Sequence, residues 1–308
     1  MKKLLLILAT IAAPFLTNAQ STITVSGDIT SNTTWTRNNQ YVLSGFVYVT
    51  ANAELTIESG TIIKGDKATK GSLIITRGSK IFALGNASEP VIFTSGEALG
   101  TRTYGDWGGL IILGRAPIND PAGEKVIEGG IDAVKGLYGG TDVADNSGIL
   151  EYVRIEFPGI AFQPNNEING LTCGGVGNGT TINNIQVSYS GDDSYEFFGG
   201  TVNCKNLISY RGVDDDFDTD FGFSGNLQFI VALRDSNVAD VSGSNGFESD
   251  NDATGSLNAP LTHATVSNAT IIGPLVNAGT VINSNYKRGA HIRRSSQESL
   301  YNSIITGY

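Results

Sequence analysis

Short runs of alternating apolar and polar residues recur along the chain, separated by corners of glycine, asparagine and aspartate. In the segment Glu54-Leu55-Thr56-Ile57-Glu58, the two apolar side chains fall on one face of an extended strand. No segment shows the apolar spacing of a convincing amphipathic helix. The pattern therefore predicts strands over residues 41–49, 54–63, 72–76, 80–83, 90–94, 110–113, 150–157, 181–189, 201–210, 227–233, 261–272 and 300–305.

Short strands joined by tight corners, with a repeat of roughly 20 residues or slightly more, are typical of a solenoid. The 39 glycines and abundant asparagines suit positive-φ corners, and the many Ile, Val and Thr residues suit pleated surfaces. We predict an all-β fold, a right-handed parallel β-helix of the pectate-lyase type. A β-sandwich is the alternative, but its hairpin signals, such as Asn-Gly between alternating strands, are mostly missing.

Three acid-rich phrases repeat in the second half of the chain, at residues 191–198, 213–221 and 244–252. The first two align at an offset of 22 residues and the third follows at 30, and both offsets are even. Because side chains alternate along a strand, an even offset keeps equivalent residues on the same face. We expect Tyr195, Phe217 and Phe247 to stack inside as an aromatic ladder.

The opposite face of the same strands is predicted to carry a column of carboxylates. Glu196, Asp218 and Glu248 should form this column. Carboxylates at inter-strand spacing repel one another, so they require a bound cation, raised pKa values or basic neighbours. Calcium suits ligands that are all oxygens, and both histidines, His263 and His291, lie outside the phrases. The predicted Ca²⁺ ligands are Glu196, Asp214, Asp216, Asp218, Asp220, Glu248 and Asp250.

A solvated acidic face, or a network of aspartates at a corner, is the alternative to a calcium site. Asp193, Asp215 and Asn245 share the inward parity, and we expect them at a corner, accepting backbone N–H bonds as a polar ladder. If Ile292 continues the inward ladder in the next coil, Arg293 follows Glu248 at the end of the acid column.

Three other segments carry predictions about the stack. Residues 115–146 form a long irregular excursion, expected to be loops that either carry function or pack against the coils. The glycine-rich segment 173–179 is interpreted as a turn. Cys173 and Cys204 form either a disulfide or two buried thiols.

Residues 1–19 have the features of a secretory signal peptide, with Lys2 and Lys3 before an apolar run too short to span a bilayer. Residues 20–308 are interpreted as one β-helix domain. It ends directly after a strand-like segment without a capping element, so we expect its C-terminal part to be absent.

The predicted mature chain has 18 basic and 30 acidic residues, a formal net charge of −12. This charge argues against nucleic acid or an anionic membrane surface as a partner, and no second long apolar run predicts membrane insertion. The negative charge is compatible with a metal cation, a neutral glycan or a protein as the partner.

Two kinds of catalysis are compatible with the acid-rich phrases and the neighbouring arginines. An arginine beside calcium and carboxylates is what a β-helix polysaccharide lyase uses, whereas paired acids without metal suit glycoside hydrolysis. Gly191-Asp192-Asp193 weakly resembles the paired-acid motif of β-helix pectin hydrolases, but the Gly-His-Gly and Arg-Ile-Lys motifs that should follow are absent. The sequence leaves open whether the protein is an enzyme.

Several motifs together resemble a group of secreted right-handed β-helix proteins of Bacteroidota type. They are residues 107–114 (Trp-Gly-Gly-Leu-Ile-Ile-Leu-Gly), the acid-rich phrases and residues 289–294 (Gly-Ala-His-Ile-Arg-Arg). Many members carry a C-terminal sorting domain for type IX secretion, and we expect any such domain of this protein to belong to the absent C-terminal part. The resemblance implies export to the cell surface or medium, and it implies no reaction. We therefore predict a non-catalytic adhesin or glycan-binding protein, with a calcium-dependent polysaccharide lyase or a glycoside hydrolase as the alternative.

Overall fold

The computed structural model describes residues 20–163 and 166–308, so the predicted signal peptide, residues 1–19, lies outside the described residues. In the described part the chain forms strands, turns and bends, and no helix there is long and apolar enough to cross a membrane. The strands are β1 (Ser21–Ile29), β2 (Thr33–Trp35), β3 (Asn39–Val49), β4 (Glu54–Ile57), β5 (Ile62–Gly65), β6 (Ser72–Ile75), β7 (Lys80–Leu84), β8 (Val91–Ser95), β9 (Leu110–Leu113), β10 (Lys125–Val126), β11 (Leu137–Tyr138), β12 (Gly148–Glu156), β13 (Ala161–Gln163), β14 (Asn166–Glu167), β15 (Leu171–Val176), β16 (Thr181–Ser188), β17 (Tyr195–Gly200), β18 (Asn203–Tyr210), β19 (Phe217–Asp220), β20 (Asn226–Leu233), β21 (Ser244–Ser249), β22 (Thr265–Ile272), β23 (Tyr286–Ile292), β24 (Ser299–Tyr301) and β25 (Ile304–Thr306).

These strands stack in parallel, each on the equivalent strand of the next coil. One wall, here called the acid wall, consists of β6, β9, β15, β17, β19, β21 and β23 in that order. A second wall, the long wall, consists of β12, β16, β18, β20 and β22. Antiparallel pairing within the described residues is confined to the short pairs β10–β11 and β13–β14. The predicted parallel β-helix is confirmed, and a β-sandwich, which needs antiparallel sheets, is excluded.

The long wall is bent at one residue per coil. The first half of β12 pairs with β7 and its second half with β8, and Tyr152 lies between the halves with φ of 49°. The register places an equivalent positive-φ residue in each following coil, and this corner column is Tyr152, Asn184, Asn206, Phe229, Asn268 and Asn302. Asparagine suits these corners because it tolerates the left-handed conformation.

Aromatic rings fill the interior behind the acid wall. Tyr195 stacks on Phe217 with ring centroids 5.1 Å apart, and Phe217 stacks on Phe247 at 5.6 Å. All three side chains are fully buried. The predicted aromatic ladder is therefore confirmed, and its spacing follows the separation of the strands.

The excursion at residues 115–146 packs on the outside of the acid wall. Its residues Ile127, Ile131 and Tyr138 form a second buried apolar cluster with Ile74 of β6 and Ile111 of β9. The packing alternative for this excursion is confirmed. It covers the first coils of the wall and so confines the accessible part of that wall to later coils.

Two sequence interpretations are corrected by the strands. The first half of the glycine-rich segment 173–179 is not a turn, because Leu171–Val176 forms the buried strand β15. The predicted strand 54–63 is two strands, β4 and β5, separated by a turn in which Gly60 has φ of 75°.

Cys173 and Cys204 are both buried free thiols rather than a disulfide.

Candidate functional site

One outward-facing column runs the length of the acid wall and changes its chemistry along the way. The paired residues begin with Ile74 and Ile111 in the coils that the excursion covers. Thr172 follows in β15, then Glu196, Asp218 and Glu248 in β17, β19 and β21. The predicted alignment of these three acids in one column is confirmed.

The coil after Glu248 differs from the prediction. Phe247 pairs with Ala290 rather than Ile292, so His291 follows Glu248 in the column. The misalignment arose because alanine carries no signal for a ladder position and because β21 has a register shift at Ser244/Asn245. Arg293 nevertheless reaches back to the acids: its Nη2 contacts Glu248 Oε1, and its Nε donates to Asp250 Oδ1 at 2.9 Å.

Seven carboxylates converge near this column, here called the carboxylate cluster. They form three overlapping triads, in each of which one oxygen per residue lies within 4.8 Å of the others. The triads are Asp192–Asp193–Asp214, Asp193–Glu196–Asp218 and Asp215–Asp218–Glu248. Asp193 and Asp218 each belong to two triads, which makes the cluster continuous across β17, β19 and β21.

Four predicted ligands, Glu196, Asp214, Asp218 and Glu248, are members of the cluster. Asp193 and Asp215 also form the expected polar ladder. Asp193 Oδ1 accepts the Asp215 N–H at 2.8 Å, and Asp215 Oδ1 accepts the Asn245 N–H. Sequence reasoning missed both as ligand candidates, together with Asp192, because it assigned Asp193 and Asp215 by parity to the inward face. The sequence did carry a signal for them: at the offset of 22 residues, Asp192 aligns with Asp214 and Asp193 aligns with Asp215.

The other three predicted ligands lie outside the cluster. Asp216 is not on the outward face: it is fully buried, accepts a hydrogen bond from Ser209 at 2.5 Å and lies 3.5 Å from Arg234 Nε. The chain bends before β19 begins at Phe217, so strand alternation does not extend back to Asp216. Asp250 pairs with Arg293 and Arg294, and Asp220 Oδ1 accepts the Phe221 N–H at 2.6 Å.

Burial dominates the electrostatics of the cluster. Desolvation, followed by repulsion from Glu248 and Asp215, raises the pKa of Asp218 well above its ordinary value. Desolvation likewise raises the pKa of Glu196, and it raises that of Asp214 to about 6. The Oδ1 atom of Asp218 is buried without a hydrogen-bond partner in the described part of the chain, and so is Oδ1 of Asp214. These oxygens are available to a cation.

The cluster opens into a cavity of about 410 Å³, here called the acid pocket. Asp193, Asp215 and Asp218 line one side. Lys287 and Arg288 of β23 line another, and the described lining contains no Phe, Tyr or Trp side chain. His291 Nδ1 lies 3.5 Å from Glu248 Oε2. The pocket therefore combines a set of oxygen donors with cationic side chains on a neighbouring coil.

Comparison with known proteins gives one finding about the family. The family model described as "Pectate-lyase like beta helix domain" matches residues 27–308. Comparison with curated proteins and with solved structures gives no match.

Proposed function

The chain belongs to the pectate-lyase-like β-helix family, and from that premise we propose that it binds an acidic polysaccharide through calcium held at the carboxylate cluster. The family is consistent with a carbohydrate-related protein. In our proposal the role is non-catalytic, in adhesion or glycan binding outside the cell. The leader-like residues 1–19 support export, and type IX secretion stays a prediction from the resemblance.

The observation that carries the proposal is the unpartnered Oδ1 of Asp218 at the junction of two carboxylate triads. Without a cation, seven acids at this spacing must hold protons or repel one another. Calcium takes about 6–8 oxygen ligands in flexible geometry, which suits carboxylates from separate coils. The donor set contains no thiol, and its imidazole neighbour, His291, contacts only the edge of the cluster.

The basic side chains that line the acid pocket are the reason for proposing an acidic polysaccharide as the ligand. A uronate carboxylate in the pocket could contact the cation on one side and Lys287 or Arg288 on the other. Arginine favours planar recognition of carboxylates, and lysine supplies a point charge. A neutral sugar would leave Lys287 and Arg288 without an anionic ligand in the pocket.

The proposal is tested by calcium titration of the chain in a calorimeter, with melting temperature followed in parallel. We expect saturable binding that raises the melting temperature, because a ligand that binds only the folded state stabilises it. Asp218→Asn should abolish this rise while leaving the metal-free melting temperature equal or higher, since it removes a repelling charge. Glu151→Gln, a matched carboxylate-to-amide change on the long wall, is the control and should retain the calcium response.

Binding of the polysaccharide is then measured by affinity electrophoresis in polygalacturonate and alginate, with calcium or with a chelator. We expect retardation only with calcium, and weaker retardation for Arg288→Ala. Calcium binding without retardation in either polymer would leave a structural metal site and contradict the glycan proposal. An equal calcium response in wild type and Asp218→Asn would contradict the metal site itself.

A calcium-dependent lyase is the second candidate, and the position of Lys287 and Arg288 beside the cluster favours it. In such a reaction a basic group removes the proton α to the uronate carboxylate, and the glycosidic oxygen leaves to give an unsaturated sugar. The ultraviolet absorbance of that product distinguishes elimination from binding alone. Release of reducing ends without this absorbance would instead indicate glycoside hydrolysis.

A further inference from the structure

A second concave site, here called the corner groove, lies on the long wall. It has a volume of about 390 Å³ and shares no lining residue with the acid pocket. Its lining begins in the turn between β7 and β8 and continues along the corner column through four successive coils, from β12 to β20. Tyr152 lies at one end of this span and Phe229 at the other, with Asn184 and Asn206 between them.

The two aromatic residues occupy positions that disfavour them. The corner column requires the left-handed conformation, and four of its six residues are asparagines, which adopt that conformation readily. Tyr152 and Phe229 adopt it with φ of 49° and 58°, which is unusual and strained for bulky side chains. Phe229 is nevertheless 49% exposed, so burial does not offset the strain. The Phe229 ring therefore contributes little to the core and presents an aromatic surface to solvent, whereas Tyr152 is half-buried and lines the groove with its exposed part.

The polar groups of the groove have unused hydrogen-bonding capacity. The Asn184 amide makes no hydrogen bond within the described residues. Asn206 donates through Nδ2 to Asn183 at 2.9 Å, and Gln186 donates through Nε2 to Ser188 at 2.9 Å, which leaves both carbonyl oxygens available. Arg154, the one charged residue of the lining, pairs with Glu156 at 2.6 Å. The groove therefore offers amides and aromatic rings without net charge.

We propose that the corner groove binds an uncharged oligosaccharide that lies along the stack. The C–H faces of sugar rings pack on aromatic rings, and amides pair with vicinal hydroxyls. Tyr152 and Phe229 lie three coils apart, about 14 Å at the usual strand spacing, so a linear chain can contact both. The side chains of Ile208 and Val231, each 41% exposed, supply apolar surface beside the corner column. This site is independent of calcium and of the acid pocket.

The test uses linear neutral oligosaccharides of increasing length, from the cello-, manno-, xylo- and laminari- series, titrated calorimetrically in the presence of a chelator. We expect one series or more to bind, with affinity that rises with length until the groove is filled. Phe229→Asn and Tyr152→Asn should each weaken binding about tenfold or more. Both should keep or raise the melting temperature, because asparagine is the residue that the other corners use.

Tyr301→Asn is the matched control, since Tyr301 is 59% exposed on the adjacent column but does not line the groove. It should leave affinity unchanged. Failure of every series to bind would overturn the proposal, and so would equal affinities for wild type and the two groove variants. If the chain instead self-associates and Phe229→Asn disperses the oligomer, the groove is a protein interface and the proposal is wrong.

Discussion

At the scale of single residues, Glu298 is a buried acid that belongs to no proposed site. Its Oε2 accepts a hydrogen bond from Thr219 Oγ1 at 3.2 Å, and Oε1 is buried without a partner in the described part of the chain. Desolvation raises the pKa of this carboxyl to about 8, although the bond from Thr219 opposes the shift. The group therefore holds a proton at neutral pH and can donate as well as accept.

The raised pKa predicts a pH-dependent contribution to stability. The folded state binds a proton that the unfolded state releases above about pH 4.3, so stability falls as pH rises from there to about 8. Glu298→Gln should remove the contribution of this group to the decline and be more stable than wild type at alkaline pH. Urea unfolding at several pH values measures the difference, and parallel pH profiles for the two proteins would show that the group is not protonated.

At the scale of elements, the register of the strands in the acid wall is set by the side chains packed on its inner face. Tyr195, Phe217 and Phe247 are spaced by the strands and stack ring on ring, so each ring fixes the register of the coil that carries it. The same register aligns Glu196, Asp218 and Glu248 outside. The candidate metal site therefore depends on apolar packing on the opposite side of one sheet.

Phe217 is the central ring, and its truncation tests this dependence. Phe217→Ala should reduce the free energy of unfolding by ~3–5 kcal/mol, because it leaves a cavity between two rings that cannot close. Phe217→Leu fills most of the volume and should cost considerably less. Both values come from urea unfolding followed by circular dichroism. Similar losses for the two variants would mean that the site collapses or that ring stacking dominates over volume.

At the scale of the whole molecule, the chain behaves as a one-dimensional stack. Each strand of the long wall pairs only with the strands directly above and below it. In such solenoids stability is approximately a sum of terms for single coils and for neighbouring interfaces. A ligand held by a few coils should therefore stabilise those coils and their neighbours more than distant ones.

Hydrogen exchange with and without calcium checks this expectation. Calcium should slow amide exchange in β17, β19, β21 and β23, which carry or border the carboxylate cluster, and should change little in β4 to β8. The effect follows from the added cost of opening a coil whose ligands must release the ion. A uniform slowing along the chain would contradict local binding, since it would require the stack to open as one unit.

Much of this arrangement could be predicted from the sequence, because alternation and repeat length are local properties. The even offsets between the acidic phrases predicted the aromatic ladder and the column of Glu196, Asp218 and Glu248. The strand 110–113 was predicted to the residue, and most others within a few residues. These features depend on which side of a strand a residue occupies, which alternation records directly.

Tertiary structure alone decided what the corners and insertions do, since alternation ends where a strand ends. It placed Asp216 inside against Arg234 and brought Asp192, Asp193 and Asp215 to the cluster. The excursion packs on β6 and β9 and buries Ile74 and Ile111. This packing depends on contacts between residues that are far apart in sequence. The corner groove likewise needs four coils in register before two aromatic residues become one surface. Local pattern specifies the face of each strand, whereas the meeting of distant segments determines which faces remain open to a ligand.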